Sequence, residues 1–232
     1  MQRHAYGNTE TIDLWNAWSE VSQKDIAGLM STWTTVTGYP YLKVLDEKWS
    51  DNEVVFTLEQ SRFLSDGSVD SDSTTLWSIP LLFATEGSVS EEAVIMDKKV
   101  QSFAVPLSGS GNWIKINAGQ KALVRVAHSP EMIRRLSPAI TNKLLGPVDR
   151  AALLLDGYAL AKAGVSPLET VVDILKILTA GGEDSSIVFG AIQGVLNGFN
   201  VLMEEIGDPD VFESFVKFGK KVRLLRIQLF YF

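Results

Sequence analysis

In the stretch Trp33-Thr34-Thr35-Val36-Thr37-Gly38-Tyr39-Pro40-Tyr41-Leu42-Lys43-Val44, the apolar pattern changes from helical to strand-like. Upstream, one helix face with i, i+3, i+4, i+7 spacing is formed by Ile26, Leu29, Met30 and Trp33. Ser22 followed by Asp25 favours a helix start at Ser22. Gly38 can adopt the positive φ that ends a helix, and Pro40 prevents its continuation. The stretch therefore predicts a helix-to-sheet junction and a domain boundary.

Composition limits the classes of protein that fit this chain. With 232 residues, 46% of them hydrophobic, it can form one large domain or two small ones. The net charge of −7 argues against a nucleic-acid partner, because phosphate binding requires clustered Lys and Arg. The absence of cysteine excludes disulfides and thiolate metal sites. Neither a signal-peptide core nor an apolar run of about 20 residues is found, so the sequence predicts no membrane span and a cytoplasmic location.

Residues 1–40 are predicted to form two short helices. Thr11 or Asp13 can cap the first helix, whose apolar side carries Leu14, Trp15 and Trp18. About 40 residues rarely make an independent core, so these tryptophans and Trp33 need a larger apolar surface. Two alternatives follow: the tryptophans pack on the sheet that comes next, or they face a domain that lies outside this sequence.

Residues 41–128 are predicted to form a β-sandwich. Short β-branched and aromatic runs alternate with Gly- and Ser-rich turns, as in sandwiches with about seven strands. Pro80 argues for an edge position or a bulge in its strand. The alternating faces also predict that residues 41–127 fold alone, whereas residues 1–40 do not. The predicted strands include Glu53–Leu58, Thr74–Phe83, Ala93–Met96, Gln101–Val105, Trp113–Ile116 and Ala122–Ala127.

Residues 129–232 are predicted to form helices that stack as a solenoid. Ser129-Pro130 and Ser166-Pro167-Leu168-Glu169 are start signals; in the second, Ser is the cap and Pro takes the first helical position. Asp208-Pro209 starts the last helix. A longer helix is predicted from Ile187 to Ile206, where glycines four apart permit close helix contact: Gly190, Gly194 and Gly198. The predicted fold class is therefore α+β multi-domain, with segments 1–40, 41–128 and 129–232.

No catalytic or metal-ligating set can be assembled from the sequence. The two histidines, His4 and His128, lie in different predicted segments and have no partner at i+3 or i+4. Glu91-Glu92 and Glu204-Glu205 are adjacent carboxylates that point in different directions on a helix or strand. We therefore predict no catalytic residue and no metal ligand, and the substrate-binding residues stay unknown.

The C-terminal tail has two interpretations. It is either a helix surface whose cations complement the macrodipole, or a basic amphipathic segment that contacts a membrane or an acidic partner. Its cations are Lys217, Lys220, Lys221, Arg223 and Arg226.

Several motifs give the chain a resemblance to zinc aminopeptidases of the gluzincin type, closest to the puromycin-sensitive branch. Trp33-Thr34-x-x-x-Gly38-Tyr39-Pro40 resembles the family's passage from catalytic domain to β-sandwich. Pro147-Val148-Asp149-Arg150, followed by Leu153 and Asp156, resembles the start of its C-terminal helical domain. The resemblance covers residues 1 to about 216. Further family-like motifs are Asp13-Leu14-Trp15, Gln60–Leu64, Trp77–Leu81 and Trp113–Asn117.

The resemblance implies a role that this chain cannot fulfil alone. The family binds zinc through His-Glu-x-x-His and anchors peptides through Gly-Ala-Met-Glu-Asn, and neither motif occurs here. Ala122–His128 also lacks the glycine and aromatics of the family's last sandwich strand, which puts a substrate-cleft role of this strand in doubt. The resemblance implies a fragment that supports the cleft of a zinc aminopeptidase acting on peptides, itself without zinc or activity.

Two alternatives to that role are a free-standing interaction module on the same scaffold and a small enzyme with an unrecognised site. The predicted partner is either the missing catalytic segment or a second copy, bound through an apolar patch near Trp15, Trp18 and Trp33.

Overall fold

The computed structural model describes residues 5–68, 74–107 and 112–229. Two helices come first, α1 (Thr11–Ser22) and α2 (Ile26–Thr35). Glu10 caps α1 in a reciprocal capping box with Asp13. Asp25 caps α2, and its carboxylate accepts the Gly28 N–H at 2.8 Å. The predicted start at Ser22 is therefore wrong, because Ser22 is the last residue of α1 and the side-chain acceptor that the new helix needs is Asp25.

The helix-to-sheet junction is confirmed. Gly38 has a φ of 91°, a conformation that favours glycine, and Pro40 is the first residue of strand β1 (Pro40–Trp49). β1 pairs antiparallel with β2 (Glu53–Arg62), and the register shifts between Val44 and Asp46. A single turn between residues 36 and 39 thus carries the chain from α2 into the sheet.

The strands form the two layers of a sandwich, which confirms the predicted all-β segment. One layer is a four-stranded sheet in the order β7-β2-β1-β9, in which β1 and β9 are parallel. The other layer consists of the pair β3-β6 and the sheet β5-β4-β8. Pro80 lies in β3, which pairs only with β6 among the described residues. This confirms the edge position that the proline predicts. The remaining strands are β3 (Ile79–Leu81), β4 (Phe83–Thr85), β5 (Ser88–Val89), β6 (Val94–Met96), β7 (Val100–Pro106), β8 (Lys115–Ile116) and β9 (Arg125–Ala127).

Aromatic rings and one buried amide join the two layers. The rings of Phe56 and Phe103 from one layer and Phe83 from the other lie within 5.6 to 5.7 Å of each other. Gln60 is fully buried; its Nε2 donates to the Trp77 carbonyl at 3.0 Å and its Oε1 accepts the Trp77 N–H at 2.9 Å. A buried amide with both ends bonded fixes the register between layers.

Five helices follow the sandwich in the described part of the chain. Ser129 accepts the Met132 N–H at 2.9 Å and caps the first of them, as predicted. At the predicted Ser166 start the structure differs by one residue, because Pro167 takes the cap position. Neighbouring helices pack in pairs, which fits a solenoid-like stack. Their bounds are α3 (Pro130–Thr141), α4 (Pro147–Lys162), α5 (Leu168–Ala180), α6 (Ser186–Ile206) and α7 (Pro209–Leu229).

Helix α6 has a mixed character. It is long and apolar enough to cross a bilayer by length and composition, which is weak support for a span because core helices share these properties. Val188, Val195 and Phe199 are buried in the helical core. A Cβ at Gly198 would lie 1.9 Å from Tyr158 Oη of α4, whereas one at Gly190 or Gly194 would meet no atom within 4 Å. The predicted close helix contact thus exists at Gly198 alone of the three glycines.

Candidate functional site

Helix α4 presents two buried carboxylates to the sandwich. Asp149 and Asp156 are seven residues apart, about two turns, and therefore share one helix face. Asp149 Oδ1 and Oδ2 accept the Gly119 N–H at 2.9 and 3.0 Å. Asp156 accepts Arg125 Nη1 at 3.0 Å and the Val126 N–H at 3.3 Å. These bonds attach α4 to the end of the sandwich at two points.

Lys115 of β8 lies between these carboxylates with 1% of its surface exposed. Its Nζ donates to the Ile116 carbonyl at 2.6 Å and lies 3.7 Å from Asp149 Oδ1. Burial lowers the pKa of Lys115, and the charges of Asp149 and Asp156 oppose that shift. Burial raises the pKa of Asp156, and Lys115 and Arg125 oppose it. We call Lys115, Arg125, Asp149 and Asp156 the junction network.

The junction network also reaches the turn that begins the sandwich. Arg125 Nε donates to Tyr39 Oη at 3.1 Å. The Arg125 guanidinium carbon lies 5.7 Å from the Tyr39 ring centroid and 5.0 Å from that of Phe63, distances at which cation–π attraction acts. Arg125 of β9 thus contacts both Tyr39, directly before β1, and Asp156 of α4.

A second buried ion pair holds the helices together. Arg150 Nε and Nη2 donate to Glu183 Oε2 and Oε1 at 2.8 and 2.7 Å, and both residues are buried. Glu183 also accepts the N–H groups of Asp184 and Ser185 before α6. Burial by itself raises the pKa of Glu183, but Arg150 and these N–H groups together lower it. The pair thus joins α4 to the start of α6.

His128 is buried beside the junction network, and its Nε2 has no hydrogen-bond partner among the described residues. Burial, assisted by the nearby Lys115 charge, lowers the pKa of His128 to about 3. The imidazole is therefore neutral at pH 7 and cannot act as a cation there.

This pKa makes stability sensitive to acid. An unfolded histidine titrates near pH 6.5. Between about pH 6.5 and about pH 3 the unfolded chain therefore binds a proton that the folded chain does not, and the free energy of unfolding decreases as the pH is lowered. From pH 7 to pH 5 we expect His128 to account for a loss of about 2 kcal/mol. Urea titrations at pH 7 and pH 5 measure this decrease in the free energy of unfolding. The decrease should be smaller by about 2 kcal/mol in His128→Gln than in the native chain. An equal decrease in the two proteins would contradict the prediction.

The other titratable residues singled out in the sequence do not converge on a site. Glu91, Glu92, Glu204 and Glu205 are exposed, and His4 lies outside the described residues. Within 5–68, 74–107 and 112–229, no group of three or more His, Asp or Glu side chains could hold a metal ion. The predictions about catalytic residues and substrate-binding residues stay predictions.

The sequence gives no local indication that Lys115 is buried between two carboxylates. A single lysine two positions after Trp113 gives no sign that it will be buried next to Asp149, which lies 34 positions later in the chain. The available signal was the seven-residue spacing of Asp149 and Asp156, which places two acids on one face of a helix that must pack against something.

The basic tail is only partly described. Lys217 of α7 pairs with Glu213 at 2.7 Å on an exposed helix face. The side chains of Lys221, Arg223 and Arg226 lie outside what the structure describes. Both interpretations of the tail therefore stay predictions.

Helix α1 leaves apolar side chains in solvent. None of its residues is buried; Leu14, Trp18 and Val21 are 46%, 50% and 87% exposed. Trp33 of α2 differs, because its Nε1 donates to the Ser78 carbonyl at 2.9 Å and its ring packs on the sandwich core. Of the two alternatives, packing on the sheet is right for Trp33. Trp15 and Trp18 instead contact each other, with ring centroids 5.1 Å apart and ring planes tilted by 52°.

The exposure of Trp18 predicts that a polar substitution at this position has little effect on stability. Trp18→Gln should change the free energy of unfolding by less than about 1 kcal/mol and make the chain more soluble. Trp77→Ala, at a core tryptophan with 1% exposure, is the matched control and should cost about 3–5 kcal/mol. Urea titration of both variants measures the free energy of unfolding. A decrease of several kcal/mol for Trp18→Gln would show that Trp18 belongs to a core.

Comparisons with known proteins agree with this architecture. Residues 113–227 match the model of the ERAP1-like C-terminal domain, so the likeness runs past the predicted end near residue 216. The chain is 34% identical over 194 residues to the puromycin-sensitive aminopeptidase of Caenorhabditis elegans, covering 83% of this chain and 20% of that protein. It is 33% identical over 177 residues to aminopeptidase 2 of Candida albicans, which covers 76% of this chain and 18% of that protein.

A third relative is the thyrotropin-releasing hormone-degrading ectoenzyme of Mus musculus, 27% identical over 229 residues, which covers 92% of this chain and 21% of that enzyme. The chain thus spans about a fifth of the length of the curated relatives it matches.

Proposed function

We propose that this chain is the non-catalytic part of an aminopeptidase of the M1 family. The proposal is supported by the match of residues 113–227 to the ERAP1-like C-terminal domain and by the similarity of the chain to aminopeptidases. The role of the chain is to hold and orient a catalytic part that other residues supply. Zinc and the peptide substrate belong to that catalytic part. We further propose that the chain belongs to the puromycin-sensitive branch, because the Caenorhabditis elegans relative has that name. The cytoplasmic location predicted from the sequence stays a proposal.

The single observation that carries this proposal is the uncovered apolar side of helix α1. Ion pairs with buried acids join α4 to the sandwich, and the buried pair of Arg150 and Glu183 joins α4 to the start of α6. Helix α1 has no buried residue, although its sequence is apolar on one side. A fold with an uncovered apolar helix is the form expected of a part that packs against further protein.

The test is a chimera. In the Caenorhabditis elegans relative, this chain replaces the segment that it matches, and turnover of an aminoacyl fluorogenic substrate is measured together with bound zinc. We expect one zinc per chimera and turnover within about tenfold of the parent, since a 1.4 kcal/mol misplacement already costs a factor of ten. A zinc-loaded, folded chimera without turnover would overturn the proposal.

The isolated chain provides the complementary measurement. It should hold no stoichiometric zinc and cleave no aminoacyl substrate, because a zinc site needs three or four protein ligands held together. One tightly bound zinc per chain, with turnover that a chelator abolishes, would contradict this expectation and favour the small enzyme instead.

A free-standing interaction module is the second candidate, and the same exposed helix supports it. The two candidates differ in the chimera, because an independent module has no reason to keep the geometry that a catalytic part requires. If the isolated chain folds and the chimera has no turnover, the interaction module is favoured.

A further inference from the structure

Strand β7 is an outer strand of the four-stranded sheet, and it pairs only with β2 among the described residues. Two hydrogen bonds at its ends show which residues face β2. The Gln60 N–H donates to the Lys99 carbonyl at 2.9 Å, and the Leu107 N–H donates to the Asn52 carbonyl at 2.8 Å. Because alternate residues of an antiparallel ladder direct both backbone groups to the same side, the odd-numbered residues of β7 face β2. The even-numbered residues direct theirs away from the sheet.

These outward groups form an exposed edge. Val100, Ser102 and Ala104 are exposed, and within the part of the chain that the structure describes none of their N–H groups donates to an acceptor. Each residue carries one N–H and one C=O, so the edge offers three donors and three acceptors at two-residue spacing. Such a row of backbone groups fits one kind of occupant, another extended strand.

The opposite edge of the same sheet is closed. Strand β9 forms that edge, and its Val126 N–H donates to Asp156 of helix α4 at 3.3 Å. The sheet therefore extends at β7 alone. If the added strand is β7 of a second copy, both open edges are used and the assembly ends at two chains.

The sequence of β7 is compatible with itself. Antiparallel pairing centred on Ser102 sets Ser102 opposite its own counterpart and Val100 opposite Ala104. The three N–H and three C=O groups of each copy then form six hydrogen bonds. Val100–Pro106 contains no charged residue, so no like charges meet along the pair.

The end of the strand fits the same pairing. Pro106 has no N–H to donate, and it would face Lys98 of the second copy. The Lys98 carbonyl already accepts Gln60 Nε2 at 3.1 Å within its own chain. The missing donor of the proline therefore leaves no acceptor unpaired.

We propose that β7 binds β7 of a second copy, antiparallel about a two-fold axis at Ser102. This interface is separate from the proposed function, and it differs from the patch predicted near Trp15, Trp18 and Trp33. A pair of strands this short forms an interface below about 1,200 Å², the size of weak and transient complexes, so the dimer should dissociate readily.

The first experiment follows the full chain from about 10 μM to about 500 μM by sedimentation velocity and amide hydrogen exchange. The sedimentation coefficient should rise from that of a monomer towards that of a dimer. Exchange of the Val100, Ser102 and Ala104 amides should slow at least about threefold over this range. The Phe103 amide, which faces β2, should not change.

Charged variants at the axis test the register. Ser102→Lys and Ser102→Glu each set like charges opposite one another, so each variant alone should associate at least about threefold more weakly than the native chain. Their equimolar mixture sets opposite charges together and should associate about tenfold more tightly than either variant alone. Asn197→Lys, an equal charge change at an exposed position on α6, should leave association unchanged. Circular dichroism confirms that each variant is folded.

Four results would overturn the inference. The first is a monomer at every concentration, and the second is a dimer that Trp18→Glu abolishes but Ser102→Lys does not. The third is a mixture of the two charged variants that associates no better than either alone, because another extended strand could then occupy the edge without the symmetry about Ser102. The fourth is slow exchange of the three outward amides already at the lowest concentration, which would show that the chain itself covers the edge.

Discussion

Replacing Glu183 by alanine is expected to lower the free energy of unfolding by about 3–5 kcal/mol, the usual cost of leaving one member of a buried ion pair alone. Arg150 would remain in the interior without a counter-ion, and the N–H groups of Asp184 and Ser185 would lose their acceptor. Denaturant titration at pH 7 measures the change.

The matched control is Asp173→Ala, which removes an acid from the exposed pair that Asp173 forms with Lys176. Exposed pairs of this kind contribute little, so its midpoint should stay close to that of the native chain. Because the pKa of Glu183 is lowered, the stabilisation by its pair is present above the unfolded pKa and is lost as pH falls through the folded one. Equal losses in both variants at pH 7 would contradict this assignment.

The second large effect is expected at the junction network. Asp156→Ala leaves Arg125 and the Val126 N–H without their shared acceptor and removes a charge that favours the Lys115 cation. It should cost roughly 3 kcal/mol because Arg125 keeps some access to water. The unfolding curve should also divide into two transitions, since the sandwich and the helices then separate before either melts. Near-ultraviolet and far-ultraviolet dichroism followed together would detect the division.

Asp156→Asn is the control for this prediction. Asparagine keeps an oxygen that can accept the Val126 N–H but removes the charge opposite Arg125 and Lys115. It should therefore lose less stability than alanine and keep a single transition. A single transition in Asp156→Ala, with the same midpoint as the native chain, would show that α4 is held by apolar packing alone.

Local signals in the sequence predicted the starts of elements well. Ser129 and Gly38 act through their own backbone or one nearby N–H, so their conformations can be inferred without the rest of the fold. The error at Ser22 has the same local origin, because Ser22 and Asp25 both resemble caps and only the packed structure shows which carboxylate or hydroxyl faces a free N–H.

Long-range features could not be predicted from the same sequence. The strand predicted at Trp113–Ile116 is shortened to Lys115–Ile116, because Trp113 packs into the helical core instead of the sheet. Lys115 owes its burial to helix α4, whose position no local pattern encodes. Likewise, only the finished fold distinguishes Trp33, which reaches Ser78, from Trp18, which does not leave the surface.

The parallel pairing of β1 and β9 has a mechanical consequence. β1 starts directly after α2, and β9 ends directly before α3, so the two helical segments leave this parallel pair at opposite ends. A force that pulls α2 away from α3 therefore acts along the two strands in opposite directions. It loads the hydrogen bonds between them in shear, over the register from Tyr41 opposite Arg125 to Lys43 opposite Ala127. Bonds in shear must break together instead of one after another. The pair of strands therefore resists a force that separates α2 from α3, and a movement of one helical segment is transmitted through the sandwich to the other.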